Sequence, residues 1–194
     1  MAAETVARLT EAARSCLLAE GYAKLSTRGV ADEAGVPLSQ IHYHFGGKQG
    51  LVLALLAAEN EKLVGRQEDM YAVDLPLSDR YERACDFLDD DLASGYVRVL
   101  QEMIAAGWSD HAVAEQVIAL LTAWFDVLHE VLLEAEATLG GLGPFSAEDV
   151  ALLVGMAFLG GESLLLLGDP RWSTSTRAAL RRVGELIRLA EQAR

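Results

Sequence analysis

Residues 25–51 constrain the fold of this chain more than any other segment, because they have the pattern of two short helices joined by a glycine turn. Val30 and Ala34 lie at the spacing of one buried helix face, which predicts a helix over residues 27–34. Gly35 can then adopt the left-handed conformation that residues with a Cβ resist. The segment therefore predicts a helix-turn-helix.

The second helix of this pair has an unusual outer face. Pro37 is compatible with a first helical turn, and Ile41 and Phe45 follow at helical spacing toward the core. The positions left exposed in this register are Leu38, Ser39, Gln40, His42 and Tyr43. Their donors and acceptors can meet base edges or phosphates in a DNA major groove, which is wide enough to admit one helix. This face predicts DNA recognition.

The sequence has no pattern typical of a metal site or of an enzyme. His42 and His44 are two residues apart on a helix, so their side chains point about 200° apart and cannot bind one ion. His111 and His129 have no acidic cluster at metal-ligand spacing, and neither a phosphate-binding loop nor a nucleophile with its base can be assembled. We therefore expect no metal, no cofactor and no enzymatic activity.

The first fifty or so residues resemble the tetracycline-repressor (TetR) family of bacterial one-component regulators. The resemblance rests on Ala34-Gly35-Val36, Tyr43-His44-Phe45, Lys48 and Leu51. Beyond them the chain resembles the family only in length and helical character. The resemblance implies a DNA-binding head followed by a helical domain for ligand binding and dimerisation.

The resemblance also implies a set of DNA contacts, which is Thr27, Arg28, Leu38, Ser39, Gln40, His42, Tyr43, His44 and Lys48. The first two and the last three correspond to family positions that contact the DNA backbone, and the four between them would read bases. Tyr43 would be shared between backbone and base. Gln40 is the strongest candidate for base reading, because an amide can bind adenine through two hydrogen bonds at about 1–3 kcal/mol of discrimination.

The chain departs from the family pattern around this helix. On the reading face the departures are Pro37, Ser39, Gln40 and His42, where the family often has Ser, Gly or Ala, Thr and Tyr. They change which operator is read. Gly46, Gly47 and Gly50 replace more usual polar residues, which predicts a looser connection to the next helix.

The formal net charge of -13 is unusual for a chain expected to bind DNA. Residues 1–48 hold five basic and five acidic side chains, so the whole excess of negative charge lies in the remainder. An acidic body repels phosphate in general, while correctly placed basic groups of the head attract it. We therefore expect weak non-specific DNA binding.

Cysteine usage and charge predict a cytoplasmic location. Cys16 and Cys85 are isolated within helical patterns, which is typical of buried thiols in a reducing compartment, with a redox switch as the alternative. Residues 2–20 carry charges and no signal-peptide core. Because no apolar stretch of about eighteen residues lacks charges, no membrane span is expected.

The remaining sequence indicates helix after helix with short breaks, so we expect an all-α protein. A helix over Ala7–Ala19 completes a three-helix head, which gives a helix-turn-helix domain over 1–47 and a helical ligand-binding and dimerisation domain over 48–194. The helices predicted in the second domain are 48–69, 79–92, 95–107, 110–138, 147–167 and 174–192. The predicted N-terminal caps are Ser78, Ser146 with Asp149 in a capping box, and Ser173.

Bulky apolar side chains in this domain could form the wall of a ligand pocket. The candidates are Phe87, Met103, Trp108, Trp124, Phe125, Leu128 and Met156. Aromatic and Met side chains suit a small apolar or amphipathic effector, although a packed core is the alternative for each apolar position of the long helix. The acidic run at Asp86 and Asp89-Asp90-Asp91 is expected to be a solvated face, with a hint of a cationic ligand as the alternative.

Residues 150–167 are apolar on nearly every face, so this helix must be covered on several sides. With the helix over 174–192 it predicts half of a four-helix dimer interface, which is how the family dimerises. The expected interface residues are Gly155, Leu159, Glu162, Leu166, Leu180, Val183 and Ile187. Glu162 would pair with Arg181 or Arg182, or else face the ligand cavity.

These features predict a homodimeric, sequence-specific transcriptional repressor. Two heads about one helical turn of DNA apart can read a palindromic double-stranded operator, and a small-molecule effector that changes their separation would release it. The alternative is a DNA-binding regulator without such a ligand, controlled by a protein partner or acting structurally on DNA.

Overall fold

A computed structural model describes residues 2–193, and within that range it contains nine α-helices and no strand. The predicted all-α fold is confirmed. The helices are α1 Ala2–Glu20, α2 Thr27–Ala34, α3 Ser39–Phe45, α4 Lys48–Tyr71, α5 Leu77–Ser94, α6 Tyr96–Gly107, α7 His111–Leu139, α8 Ala147–Leu166 and α9 Pro170–Gln192.

The start of α8 has the predicted capping box. The hydroxyl of Ser146 accepts a hydrogen bond from the backbone N–H of Asp149 at 3.1 Å, and the Asp149 carboxylate accepts one from the Ser146 N–H at 2.9 Å. This reciprocal pair satisfies two of the N–H groups that a helix start leaves without a partner. Hydrogen bonds from Ser146 also lower the pKa of the Asp149 carboxyl.

The predicted caps Ser78 and Ser173 are wrong, because side-chain carboxylates accept the hydrogen bonds at the starts of α5 and α9. Helix α5 begins at Leu77, and the carboxylate of Glu191 on α9 accepts both the Leu77 N–H at 2.7 Å and the Ser78 hydroxyl at 2.6 Å. Helix α9 begins at Pro170 rather than after Ser173, with Asp169 as its cap. Proline fits this first position since a helix start has no use for its missing N–H.

The helices form two compact units. The first unit comprises the chain up to Lys62 together with Gly95–Leu120, and the second unit comprises Leu63–Ser94 and the chain from Leu121 onward. Helices α4 and α7 each contribute residues to both. This division differs from the functional boundary expected at residue 48, which stays a prediction.

The core of the first unit draws on every helix that the unit contains. Its fully buried large side chains are Leu9, Leu17, Val30, Ile41, Leu51, Val52, Leu56, Val97, Met103 and Val113. Burial of each such side chain contributes about 1.5–3 kcal/mol. Helix α6 and the start of α7 thus belong to the same packed body as the helix-turn-helix.

In the second unit, α9 packs along α5 and is linked to it by ion pairs. Arg177 lies 2.7 Å from Asp89, and Arg181 lies 2.7 Å from Asp86. Arg66 of α4 donates two hydrogen bonds to Asp91, at 2.6 and 2.7 Å. Asp86 is exposed, as expected for a solvated face, and Asp89 is partly exposed, whereas the Asp91 side chain is largely covered. The sequence did not indicate that arginines of other helices pair with these three aspartates.

The thiols of the two cysteines both have raised pKa values. Cys85 is buried, and burial raises the pKa of its thiol to about 11. Burial first, and then the nearby charges of Glu33 and Glu20, raise the pKa of Cys16. Because the thiolate is the reactive form, neither position favours the redox switch considered from the sequence.

Two helices, His111–Leu139 and Ala147–Leu166, are long and apolar enough to cross a membrane by length and composition. This test is weak, because core helices of soluble proteins pass it as well. The absence of a membrane span, expected on the stricter requirement of a charge-free stretch, stays a prediction.

A buried arginine links the end of α4 to α5 and α7. The side chain of Arg80 is 6% exposed, and its Nη1 donates to the Tyr71 carbonyl and to Glu134, each at 2.9 Å. Its Nη2 donates to the other carboxylate oxygen of Glu134. The hydrogen bonds from Arg80 lower the pKa of the Glu134 carboxyl from its ordinary 4.5.

We predict that Glu134→Ala lowers the free energy of unfolding by about 1–3 kcal/mol, because the buried guanidinium loses two acceptors. The pKa of Glu134 is lower in the folded state, so its contribution is present at neutral pH and is lost as the pH falls through that lowered value. Denaturant titrations at pH 7 and below pH 4 measure this difference. Glu130→Ala, an exposed change on the same helix, is the control, and equal losses for both variants would contradict the prediction.

Candidate nucleic-acid interface

The turn between α2 and α3 has the predicted geometry. Gly35 adopts a left-handed conformation with φ of 62°, and its N–H caps the end of α2. The guanidinium of Arg8 on α1 donates to the carbonyls of Ala34 and Gly35, so α1 also binds this turn. At the other end of α2, the Ser26 hydroxyl accepts the Gly29 N–H at 3.0 Å.

Helix α3 carries its predicted recognition residues on the surface of the first unit. Ile41 is fully buried, and Phe45 is half-buried. Tyr43 is 81% exposed. The other candidate positions of this face that are exposed are Leu38, Ser39 and His42, while Gln40 and His44 are half-buried. The helix therefore adopts the predicted register, except that Gln40, which was expected to be exposed, is half-buried.

The two candidates on α2 lie at its first turn. Thr27 is half-buried and Arg28 is exposed. The N-terminal end of a helix carries partial positive charge, which favours a phosphate group near both residues.

Lys48 is held inside the first unit by a residue that sequence reasoning missed. Its Nζ donates to the carbonyl of Tyr22 at 2.5 Å and lies 4.3 Å from the centroid of the Tyr22 ring. An ammonium group has three N–H donors, so this hydrogen bond is compatible with a phosphate contact. Tyr22 stands 26 residues earlier in the chain, and no local pattern connects the two.

Gly50 allows α4 to approach the end of α3 closely. A Cβ at this position would lie 2.0 Å from the Phe45 carbonyl oxygen, which no real side chain could tolerate without a shift. The looser connection predicted from the glycines is therefore wrong at Gly50. Gly46 and Gly47 turn the chain between the two helices through positive φ values, 73° and 149°.

The candidate pocket residues are divided between the two units. Met103 is fully buried in the first unit, and Trp108 is 82% exposed at the end of α6. The remaining five lie in the second unit, where the Trp124 and Phe125 rings are 5.2 Å apart. Phe125 also lies over Gly155, where a Cβ would be 2.1 Å from its ring.

Two of the cavities in the second unit are lined by different side chains. A cavity of about 470 Å³ between α4 and α5 includes one candidate, Phe87, whose ring carries the Arg66 guanidinium at 4.2 Å. A larger cavity of about 700 Å³ is lined by Tyr71, Arg80, Glu134 and Glu191 among others. Burial raises the pKa of Tyr71 to about 12, so its hydroxyl stays protonated at neutral pH and can donate a hydrogen bond.

The expected interface residues on α8 and α9 are partly covered within their own chain. Gly155, Glu162 and Leu180 are buried, and Leu166 is exposed. The other three, Leu159, Val183 and Ile187, are half-buried. Arg181, one of the partners expected for Glu162, instead pairs with Asp86.

Among the described residues, no group of three or more His, Cys, Asp or Glu side chains could hold a metal ion.

The comparisons with known proteins agree with this geometry. Residues 9–55 match the family of bacterial regulatory proteins, tetR family. The sequence matches no curated protein. The match covers α2, α3 and most of α1, with the first part of α4.

Solved structures share the fold over nearly the whole chain. A putative TetR-family transcriptional regulator from Rhodococcus sp. is 19% identical with a TM-score of 0.78, covering 95% of this chain and 98% of that one. A TetR-family regulator from Agrobacterium tumefaciens is 19% identical with a TM-score of 0.74, covering 94% and 98%. The transcriptional regulator FadR from Bacillus subtilis, in complex with stearoyl-CoA, is 13% identical with a TM-score of 0.66, covering 93% and 96%.

At these identities the solved structures establish the fold, and the match over residues 9–55 establishes the DNA-binding domain. Residues 9–55 thus match the TetR family of bacterial regulatory proteins, and the chain as a whole has the fold of solved TetR-family regulators.

Proposed function

We propose that this chain is a cytoplasmic, homodimeric transcriptional repressor that binds a palindromic operator through α3 and releases it when a small apolar or amphipathic ligand binds the helical body. The observation that carries the proposal is the outer face of α3. Its exposed side chains include the hydrogen-bonding groups of Ser39, His42 and Tyr43, while Ile41 anchors the opposite face in the core.

The assignment of DNA contacts rests on the position of these residues in the helix-turn-helix and on the resemblance to the family. We assign base reading to Leu38, Ser39, Gln40 and His42, since these side chains lie along the first turns of the recognition helix. Backbone contacts fall to Thr27 and Arg28 on one side of the groove. On the other side they fall to Tyr43, His44 and Lys48.

An uncovered apolar surface on α8 and α9 supports a dimer. Its exposed large side chains are Leu152, Leu153, Met156, Leu166, Leu167, Trp172, Leu186 and Leu189. Exposed large apolar side chains in this number on two helices favour a protein interface. A Cβ at Gly160 on α8 would have no atom of the described residues within 4 Å beyond its own helix, which leaves room for a partner helix. We therefore centre the interface on this surface rather than on the buried Gly155 and Leu180.

Two observations support release by a ligand. The Bacillus subtilis FadR neighbour was solved with stearoyl-CoA, an amphipathic molecule. Cavities of about 470 and 700 Å³ in the second unit are within the size range of small-molecule sites. The alternative is a regulator controlled by a protein partner. It predicts that no small molecule changes the affinity for the operator.

The first experiment is selection of random duplexes by the purified full-length chain. We expect enrichment of a palindrome whose half-sites lie about one helical turn apart. Gln40→Ala should then lose about 1–3 kcal/mol of discrimination at one base pair of each half-site, because the amide no longer pairs with the base. Gln116→Ala, an exposed change on α7, is the matched control. Failure to enrich any palindrome would contradict the proposal.

A second prediction concerns the close approach at Gly50. We expect Gly50→Ala to weaken operator binding on the order of tenfold or more, because its Cβ displaces α3 and recognition geometry tolerates only about 0.5 Å. Gly65→Ala is the matched control, since that helix position has open space around it and Ala is the better helix former. Equal affinities of the two variants would show that α3 docks independently of this contact.

A third prediction tests the dimer surface. Leu186 is 64% exposed on α9, and Leu186→Glu places a charge where the proposed partner packs. We expect sedimentation velocity to show a dimer for the wild type and a monomer for the variant at the same concentration. Leu133→Glu, at an exposed leucine of α7, should stay dimeric. A wild-type chain that sediments as a monomer would refute the dimer.

A further inference from the structure

Helix α6 is joined to the corner between α1 and α2 by two charged side chains. Arg98 Nη1 donates to the Leu18 carbonyl at 3.0 Å, and Arg98 Nε donates to the Glu102 carboxylate at 3.1 Å. The same carboxylate accepts a hydrogen bond from the backbone N–H of Tyr22. All four residues belong to the first unit.

Two glycines allow this contact to be close. A Cβ at Gly21 would lie 2.9 Å from Arg98 Nη2 and 3.3 Å from the Glu102 carboxylate. On the α6 side, a Cβ at Gly95 would lie 2.0 Å from the Leu18 side chain. Both glycines also have positive φ, 80° and 84°, which residues with a Cβ rarely adopt. The two glycines therefore leave room for the Arg98 and Glu102 side chains against the corner and for the Leu18 side chain against the start of α6.

Tyr22 connects this contact to Lys48. Its N–H is held by Glu102, and its carbonyl and ring hold the Lys48 ammonium. Both hydrogen bonds involve the backbone of Tyr22. The orientation of this residue therefore sets the position of the Lys48 ammonium group. A hydrogen bond to a carboxylate is stronger than one between neutral groups, so Glu102 is well suited to this role.

We propose that Arg98 and Glu102 of α6 are positioning residues for DNA binding, which hold Tyr22 so that Lys48 meets the operator backbone. The inference rests on the proposed function, because it requires that the first unit binds an operator. In this arrangement α6 contributes to DNA binding together with the helix-turn-helix. The Lys48 ammonium is oriented before DNA arrives, which reduces the conformational entropy lost on binding.

A double-mutant cycle between Glu102 and Lys48 tests the proposal on the selected operator. We expect Glu102→Ala to weaken binding on the order of tenfold, equivalent to one charge-assisted hydrogen bond. It should also reduce the slope of log affinity against log salt by about one, as for the loss of one phosphate contact. In a Lys48→Gln background the same change should have no further effect. Glu102→Gln, which keeps an oxygen acceptor for the Tyr22 N–H, should restore part of the affinity.

Glu115→Ala is the matched control, because it removes an equal charge from an exposed position of the same unit. If the wild type binds the operator, equal affinities of Glu115→Ala and Glu102→Ala would overturn this inference and leave the proposed function intact. Additive effects of Glu102→Ala and Lys48→Gln, or an unchanged salt slope for Glu102→Ala, would overturn it in the same way. If Glu102→Ala does not fold, Glu102→Gln decides the cycle by the same criteria. A wild-type chain that binds no duplex would overturn the proposed function and this inference together.

Discussion

The close packing that fixes the recognition helix is the constraint on which the rest of this structure depends. Helix α3 has seven residues, too few to be stable alone, so its orientation comes from its neighbours. Ile41 anchors it in the core, Arg8 binds the turn before it, and Gly50 lets α4 lie against its last carbonyl. Because these three contacts come from different helices, the outer face of α3 has a defined direction.

The negative charge of the chain is distributed unevenly along the sequence. The N-terminal segment 1–48 is neutral, and the excess of negative charge lies beyond it. Part of that charge is neutralised locally, since Asp86 and Asp89 pair with arginines of α9 and Asp91 pairs with Arg66. The remaining acidic side chains of the body still oppose non-specific contact with phosphate, which favours binding only where the head fits its site.

The sequence was sufficient where the determining interactions are local. The turn at Gly35, the buried register of α3 and the capping box at Ser146 all depend on residues within a few positions of one another. Prediction failed at two sites because the partner is distant in the chain, whereas the cap of α9 was misplaced by only four residues. The carboxylate that satisfies the start of α5 comes from Glu191, and the group that holds Lys48 comes from Tyr22. No helical periodicity carries information about such pairs, so only the folded chain reveals them.

The residues that hold α3 and the residues that would read DNA lie on opposite sides of the helix. Ser39, His42 and Tyr43 are exposed, whereas Ile41 is buried. On the proposed function, substitutions on the outer face would change the preferred operator without removing a contact that keeps the head folded. Mutation could then produce new target sites at little cost in stability, so that one architecture would serve many different promoters.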